Sequence, residues 1–244
     1  MRRTLFLVVV LCGWAAVHAA GVVTDDALPG PLGVLRVLGA DLGTGDYWSA
    51  IADTLRSAAG GLLAAILIGV PIGLATGTWA FAERSTRLLT EVGRSFPVIA
   101  VLPVMLLIMG SSLEMKGVVV FIACLFPLII QAQYGARSVS EAIEETAMAY
   151  RIPRLLRYRK VVLPAAAPSV MTGIRLASTM AVLVSVGVEV LTTVPGIGHV
   201  VVQSQQDGNA ENAFAYIFTA GAIGYAINRL SQYAEHRLLS WRTV

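Results

Sequence analysis

Residues 141–175 read EAIEETAMAYRIPRLLRYRKVVLPAAAPSVMTGIR, a long polar segment that lies between strongly apolar ones. Its first part, Glu144–Ala149, contains good helix formers and carries acidic residues in the first turn, where the helix dipole favours negative charge. Pro153 then stands where a second helix can begin, because that position needs no N–H donor. The stretch therefore predicts two short helices around a bend. Together they form a polar projection, called the knob below, that a soluble partner can bind.

Basic residues mark the side of a membrane on which this knob lies. The cations of the segment and its approach are Arg137, Arg151, Arg154, Arg157, Arg159 and Lys160. A basic segment between membrane spans is expected on the cytoplasmic side. With about six spans, most other cations also fall on that side, and Arg36, Arg56 and Lys116 fall outside. This bias predicts a multi-pass protein of the plasma (inner) membrane with both termini in the cytoplasm.

The composition sets the class of protein. The chain has 244 residues, of which 56% are hydrophobic and 14% charged, and its mean hydropathy is +0.73. A soluble domain cannot bury so much apolar surface, so the sequence predicts an all-α, polytopic membrane protein. Cys12 and Cys124 both lie in apolar segments and are interpreted as unpaired thiols. The net charge of +3 does not indicate a nucleic-acid partner, and the distribution of the charges reports topology.

Two predicted spans carry patterns of small or polar residues. In the span at 54–80, small residues recur every fourth position and predict close approach of a neighbouring helix. These packing residues are Gly61, Ala65, Gly69, Gly73 and Gly77. In the span at 165–191, polar residues share one face, which is interpreted either as a pathway-facing stripe or as a stripe buried against other helices. The candidate pathway residues, with two methionines from the span at 88–110, are Met105, Met109, Arg175, Ser178, Ser185 and Glu189.

The central segment resembles the EAA loop of permease subunits of type I ABC importers. That pattern is Glu-Ala-Ala, three residues, Gly, nine residues, then Ile-x-Leu-Pro. Counted back from Leu163-Pro164, Glu145 takes the Glu position, while Thr146 and Ala147 take the two Ala positions. Arg151 stands where the family has Gly, so either the bend differs here or the partner surface is adapted to the arginine. The residues that the resemblance assigns to ATPase coupling are Glu144, Glu145, Thr146, Ala147, Arg151, Leu163 and Pro164.

The resemblance extends from Leu28 to Trp241 and is strongest to the branch that handles nitrate, sulfonates, taurine and bicarbonate. It implies the MetI-like permease fold. We divide the chain into a first transmembrane helix at 1–23, for which a cleaved signal sequence is the alternative, and an external segment with a short amphipathic helix at 24–53. The core transmembrane domain at 54–230 contains the coupling loop at 137–165. Further spans are predicted at 117–132 and 213–230, and a cytoplasmic amphipathic tail at 231–244.

What the resemblance implies about function is a pathway-forming subunit without chemistry of its own. The sequence has no phosphate-binding loop and no metal-ligand or nucleophile cluster. ATP and Mg are therefore expected on a separate ATPase, and no cofactor or metal on this chain. The implied partners are a second permease copy, two cytoplasmic ATPase subunits, an external substrate-binding protein and membrane lipid, and the implied solute is small and anionic. The alternatives are an ion-gradient-driven secondary transporter and an integral membrane enzyme.

Overall fold

The computed structural model describes residues 2–21, 23–24 and 26–239, and within them the chain forms helices and no strand. Asp25 and the end of the predicted tail, including Trp241, lie outside the described residues. The helices are α1 (Arg2–Ala19), α2 (Pro31–Asp41), α3 (Gly45–Thr78), α4 (Ala80–Ser95), α5 (Leu102–Met109), α6 (Leu113–Ala136), α7 (Glu141–Ala149), α8 (Arg154–Arg157), α9 (Leu163–Leu191), α10 (Ile197–Gln206) and α11 (Ala210–Leu238).

Three of the described helices are long and apolar enough to cross a membrane. They are α3, α6 and the continuous helix Arg154–Leu191 that joins α8 to α9. A fourth span results if Phe81–Ser95 and Val98–Met109, which meet at an 86° bend, are counted together. The predicted first and sixth spans are helical as α1 and α11, but the apolar part of α1 is short (Val9–Ala19) and α11 does not reach the same apolar character. The fold class, an all-α polytopic membrane protein, is confirmed.

The predicted third span, 88–110, is not one continuous helix. The chain leaves α4 at Phe96, makes a 3-10 turn at Val98–Val101 and enters α5, which has only eight residues. Pro97 explains the break, because proline disfavours helical geometry in the residue before it and donates no backbone hydrogen bond. Prolines inside apolar helices often produce only a kink, so the sequence pattern did not reveal the size of this bend.

The chain divides into two compact units. The first contains Met1–Arg56 and Val186–Ile223. Its core is a cluster of buried side chains around Tyr47, Ile197 and Tyr216. The Tyr47 hydroxyl lies 2.9 Å from the Thr219 hydroxyl, and the rings of Tyr47 and Tyr216 meet edge to face with centroids 5.5 Å apart. Tyr47 thus contributes apolar area to the core while its hydroxyl is hydrogen-bonded.

The second unit contains Ser57–Ser185 and Gly224–Val244, and its central feature is the packing of α3 on α6. A Cβ at Gly61 would lie 2.5 Å from the Gly117 carbonyl oxygen, and one at Gly73 would collide with the Ile129 carbonyl oxygen. The predicted small-residue stripe therefore lies directly against the backbone of α6, where larger side chains would not fit. A polar contact accompanies this packing, since Gln133 Nε2 donates to Thr76 Oγ1 at 2.8 Å.

Candidate functional site

α7 forms the exposed part of the predicted coupling loop. Glu141 and Glu144 occupy its first turn, which suits the helix dipole. The positions that match the family pattern are distributed around the helix: Glu145 and Thr146 are exposed, whereas Ala147 is 3% exposed. Alanine at the buried position lets the helix approach its support closely, and the polar neighbours remain available on the outer surface.

The end of α7 adopts a glycine-type bend although its residue is an arginine. Arg151 has φ +50°, the only positive φ of a non-glycine residue in the described part of the chain. The Arg151 N–H donates to the Met148 carbonyl and the Ile152 N–H to the Ala147 carbonyl, both at 2.9 Å. These two bonds are those of a Schellman motif. Arg151 thus adopts the left-handed conformation that glycine favours, which costs about 1 kcal/mol for a side chain other than glycine.

The second half of the loop leads directly into a long helix. α8 is followed by a π-helical turn at Tyr158–Val162, in which the Leu163 N–H bonds to the Tyr158 carbonyl five residues earlier. Pro164, next in the chain, cannot donate a hydrogen bond, and the wider turn is one way in which a helix accommodates such a break. The helix nevertheless continues unbroken from Arg154 to Leu191. The second half of the loop, from Arg154, and α9 are thus parts of one continuous helix, whereas α7 is separated from it by the bend at Arg151.

The base of the loop is fixed by apolar packing and by one hydroxyl. Val162 and Ala166 are 4% and 1% exposed and belong to a buried cluster with Leu74 and Ala132. Ser138 Oγ, at the start of the loop, donates to the Ala165 carbonyl at 3.2 Å. An open cavity of about 470 Å³ lies beside this junction, lined in part by Ser138, Ala165 and Pro168. The loop is therefore anchored at its base, with free space next to the anchor.

The basic residues of the loop fall into two groups. Arg137 forms an ion pair with Glu83, in which the nitrogen and oxygen atoms are 2.8 Å apart. The remaining cations have no ion pair within the described residues and, except for the half-buried Arg157, are exposed. They are Arg151, Arg154, Arg157, Arg159 and Lys160. The knob thus presents positive charge that the described chain does not neutralise.

The polar face predicted for α9 is buried over most of its length. Ser178 is 6% exposed and donates to the Ile174 carbonyl of its own helix, while Ser185 is fully buried and lies 3.4 Å from the Ser57 hydroxyl. Arg175 pairs with Glu235 of α11, with 3.3 Å between nitrogen and oxygen. Sequence reasoning missed Glu235, because no spacing rule connects residues on two separate helices. Met105 is half-buried in α5 and Met109 is 39% exposed.

Glu189, at the other end of that face, organises the start of α10. Its carboxylate is fully buried and accepts hydrogen bonds from the Gly198 N–H at 2.8 Å and from Thr54 Oγ1 at 3.0 Å. The same Thr54 oxygen accepts from the Ile197 N–H at 3.0 Å. Gly196 has φ +151°, and a Cβ there would collide with the Glu189 carboxylate. Carboxylate and hydroxyl together satisfy the first two N–H groups of α10, groups that every helix leaves without an internal partner.

Thr54 and the two glycines of this cluster were not predicted as a group. The Gly-Ile-Gly spacing at 196–198 was visible in the sequence, but nothing there indicated that a carboxylate on α9 would fill the space above it.

Among the residues that the structure describes, no group of three or more His, Cys, Asp or Glu side chains is placed to hold a metal ion.

Comparison with known proteins agrees with this geometry. Residues 39–240 match the family described as binding-protein-dependent transport system inner membrane component. A Bacillus subtilis (strain 168) protein provisionally named aliphatic sulfonates transport permease protein SsuC is 27% identical over 99% of this chain and 88% of its own length. The nitrate import permease protein NrtB of Leptolyngbya laminosa is 28% identical over 80% of this chain and 70% of its own.

A solved structure has the same fold. A chain of the MetNI methionine ABC transporter, in an inward-facing conformation, superimposes with a TM-score of 0.68 at 19% identity, covering 80% of this chain and 95% of that one. The relatives are transport permeases and not enzymes. The chain therefore belongs to the family of binding-protein-dependent transport system inner membrane components, as an ABC permease of the nitrate and sulfonate branch with the MetI-like fold.

Proposed function

We propose that this chain forms half of the translocation pathway of an ATP-driven importer and that a separate ATPase drives it through α7. The observation that carries the proposal is the helix from Arg154 to Leu191, which begins directly after the bend that ends α7 and continues into α9 without a break. A second permease copy completes the pathway, because the helices of one chain can line only part of it. ATP and Mg bind to the ATPase subunits, one on each permease copy.

The proposed mechanism is mechanical. α7 sits in a groove of the ATPase, with Glu144, Glu145 and Thr146 on its accessible side. When ATP binding closes the ATPase dimer, the knob moves with it, and the movement passes through Leu163 and Pro164 into α9. The free space beside Ser138 and Pro168 leaves room for a tilt at this point. Hydrolysis of ATP reverses the movement.

The tilt would open a pathway along α9 and α5. In the described conformation, Ser178, Ser185 and Glu189 are buried within the chain, so they line a pathway only after α9 has shifted. Arg175 is held by Glu235 and becomes available to an anion only when that pair opens. Met105 and Met109, which are accessible on α5, are the pathway residues that need the smallest movement.

The solute that we propose is a small anion delivered by an external binding protein. The relatives named for sulfonates and nitrate support an anionic class. Because Arg175 is already paired, we place most of the selectivity in the binding protein and not in this chain. The permease lies in the plasma (inner) membrane with α7 and both termini in the cytoplasm, since that orientation would put most of the arginine and lysine residues on the inner side, as the positive-inside rule expects.

The test is a pull-down of the tagged protein from its native membrane in mild detergent, followed by an ATPase assay of the eluate. Native protein should recover an ATP-hydrolysing subunit, and Glu145→Ala should lose most of it. Glu114→Ala is the matched control, because Glu114 is also an exposed acidic residue on a helix but lies outside the loop. A solitary protein without ATPase activity would contradict the proposal and favour a gradient-driven secondary transporter.

A further inference from the structure

The residue at the tip of the knob is unusual for its conformation. Arg151 keeps the left-handed bend that glycine adopts freely, and its backbone hydrogen bonds are complete. The chain contains the same motif with glycine at the end of α10. There, Gly208 has φ +68°, its N–H donates to the Gln205 carbonyl, and the Asn209 N–H donates to the Ser204 carbonyl. Arginine is therefore not needed to form the bend. The reason for an arginine at position 151 must lie in what its side chain does.

The Arg151 side chain is exposed and makes no ion pair or hydrogen bond within the described residues. Large apolar side chains surround its position in the chain: Met148 is 60% exposed, Tyr150 79% and Leu155 71%. Such a patch next to a cation is typical of protein-binding surfaces, where aromatic residues, methionine and arginine are enriched. The strained residue thus lies beside an exposed surface whose composition is that of a protein interface.

We propose that Arg151 recognises a carboxylate on the ATPase subunit and so determines which ATPase this permease accepts. This inference rests on the proposed function, because α7 must be the docking helix. The partner surface has an acidic side chain beside an apolar groove that takes Met148 and Tyr150. A guanidinium can bond a carboxylate through two parallel N–H groups, which fixes direction as well as charge. The left-handed backbone aims the side chain from the very end of α7, where a glycine offers nothing to bind.

The positive charge around Arg151 favours an acidic surface on the partner. Arg154, Arg159 and Lys160 follow Arg151 closely and are exposed without ion pairs in the described chain. Their combined field attracts a negative surface, while the specific contact is assigned to Arg151 alone because only this residue departs from ordinary backbone geometry. Anionic lipid headgroups also attract such cations, and the experiment separates the two.

The experiment measures binding of the ATPase subunit that co-purifies with the native protein. The permease is placed in nanodiscs, one set of zwitterionic lipid and one containing anionic lipid, and affinity is measured over a salt series. Arg151→Gly keeps the bend and removes the charge, so it should weaken binding by about 10- to 100-fold, as expected for loss of a charge-assisted bond. It should also reduce the salt dependence. Arg151→Lys should give an intermediate loss, and the matched control Arg159→Ala should change binding by less than about threefold.

The outcomes separate the two proposals. If native protein binds and Arg151→Gly binds equally well or better, the inference is wrong while the proposed function stands. If native protein binds no ATPase in either lipid, the proposed function itself fails. A loss that occurs only in anionic nanodiscs would mean that Arg151 contacts lipid, which also overturns the inference. A melting temperature of Arg151→Gly at or above that of the native protein excludes misfolding as the cause.

A charge exchange gives the strongest support. Arg151→Glu should bind more weakly than Arg151→Gly, because it places two carboxylates together. An acidic residue of the ATPase, found by cross-linking to position 151 and changed to arginine, should restore binding of Arg151→Glu and not of Arg151→Gly. Restoration of both, or of neither, would contradict a direct pair.

Discussion

α7 and α10 are both short helices that link longer ones, and both end in a Schellman motif, yet they are held in different ways. α10 begins on the buried Glu189 carboxylate and the Thr54 hydroxyl. α7 has Ser140 as its N-cap residue, and the side chain of Ser140 makes no capping bond in the described structure. α10 buries Ile197, Gly198, Val201 and Ser204. α7 buries Ala147 alone among its residues.

The two helices therefore differ in how far contacts within their own chain stabilise them. α10 has satisfied donors at its first turn, an apolar underside and glycine at its end. α7 presents most of its surface to the outside and keeps a strained residue at its tip. Local opening requires the least free energy where few contacts are buried. We therefore regard α10 as a fixed part of the fold and α7 as a part whose final stability depends on what binds it.

The largest expected effect comes from removing the anchor of α10. Glu189→Ala leaves the Gly198 N–H without its buried acceptor and removes one acceptor of the Thr54 hydroxyl, which also donates to the Ala50 carbonyl, so it should cost roughly 2–5 kcal/mol of unfolding free energy. Thermal unfolding in detergent should show a clearly lower Tm for Glu189→Ala. Glu189→Gln retains an acceptor oxygen, so its Tm should fall less. Glu114→Ala serves as the exposed control. Equal stability of the Glu189 and Glu114 variants would show that the Glu189 carboxylate does not hold α10 in place.

A smaller effect is expected from filling the space beneath α10. The Cβ of Gly198→Ala would collide with the Val186 carbonyl oxygen and lie 2.9 Å from the Glu189 Cβ. Overpacking of this kind costs about 1–3 kcal/mol. In α7, Ala142→Leu adds a larger side chain at an exposed position and should change the unfolding free energy by less than about 0.5 kcal/mol. Chemical denaturation of the two variants tests this contrast, and similar losses in both would contradict it.

Exchanging the two helix ends should give opposite changes of similar size. Gly208 has no atom within 4 Å of its ideal Cβ position, so Gly208→Arg tests the left-handed conformation without a steric clash. Gly208→Arg should lower the free energy of unfolding by about 1 kcal/mol, whereas Arg151→Gly should raise it by up to about the same amount. The comparison is made on purified permease without partners. A stability loss in Arg151→Gly would mean that the arginine side chain stabilises its own chain.

A weak, pH-dependent effect is expected at the end of α2. Asp41 is the last residue of that helix, and burial raises the pKa of its carboxyl above the usual value. One of its oxygens is buried without a hydrogen-bond partner in the described structure. A raised pKa means that the folded state loses stability as pH rises through it. Asp41→Asn should therefore be more stable than the native protein at neutral pH, and the difference should shrink as the solution is acidified. A difference that is constant with pH would contradict ionisation as its cause.

The sequence predicted the features that depend on local pattern. The small residues at every fourth position of α3 predicted a close neighbour, and the basic segment with Leu163-Pro164 predicted the loop and its family. Arg151 was identified as a departure because the spacing of the motif is fixed. The glycine-type conformation of Arg151 was visible only in the backbone, since φ is not encoded by one residue type alone.

Other features depend on tertiary contacts that no periodicity reveals. Glu189 shares a face with polar residues of α9, but its hydrogen bonds to Gly198 and Thr54 arise from chain segments far away in sequence. The Arg175–Glu235 pair has the same origin. The size of the bend at Pro97 was also missed, because a proline in an apolar segment indicates a kink without giving its angle.

Coupling through α7 is tested most directly by placing a photo-reactive amino acid at one exposed position of each short helix region in native membranes. Tyr150 marks the end of α7 and Gln205 the last turn of α10. We predict that position 150 cross-links to a subunit that also binds a photo-reactive ATP analogue, that ATP changes the yield, and that position 205 does not cross-link to it. Cross-linking of that subunit at position 205, or its absence from position 150, would contradict the central claim that α7 couples this permease to an ATPase.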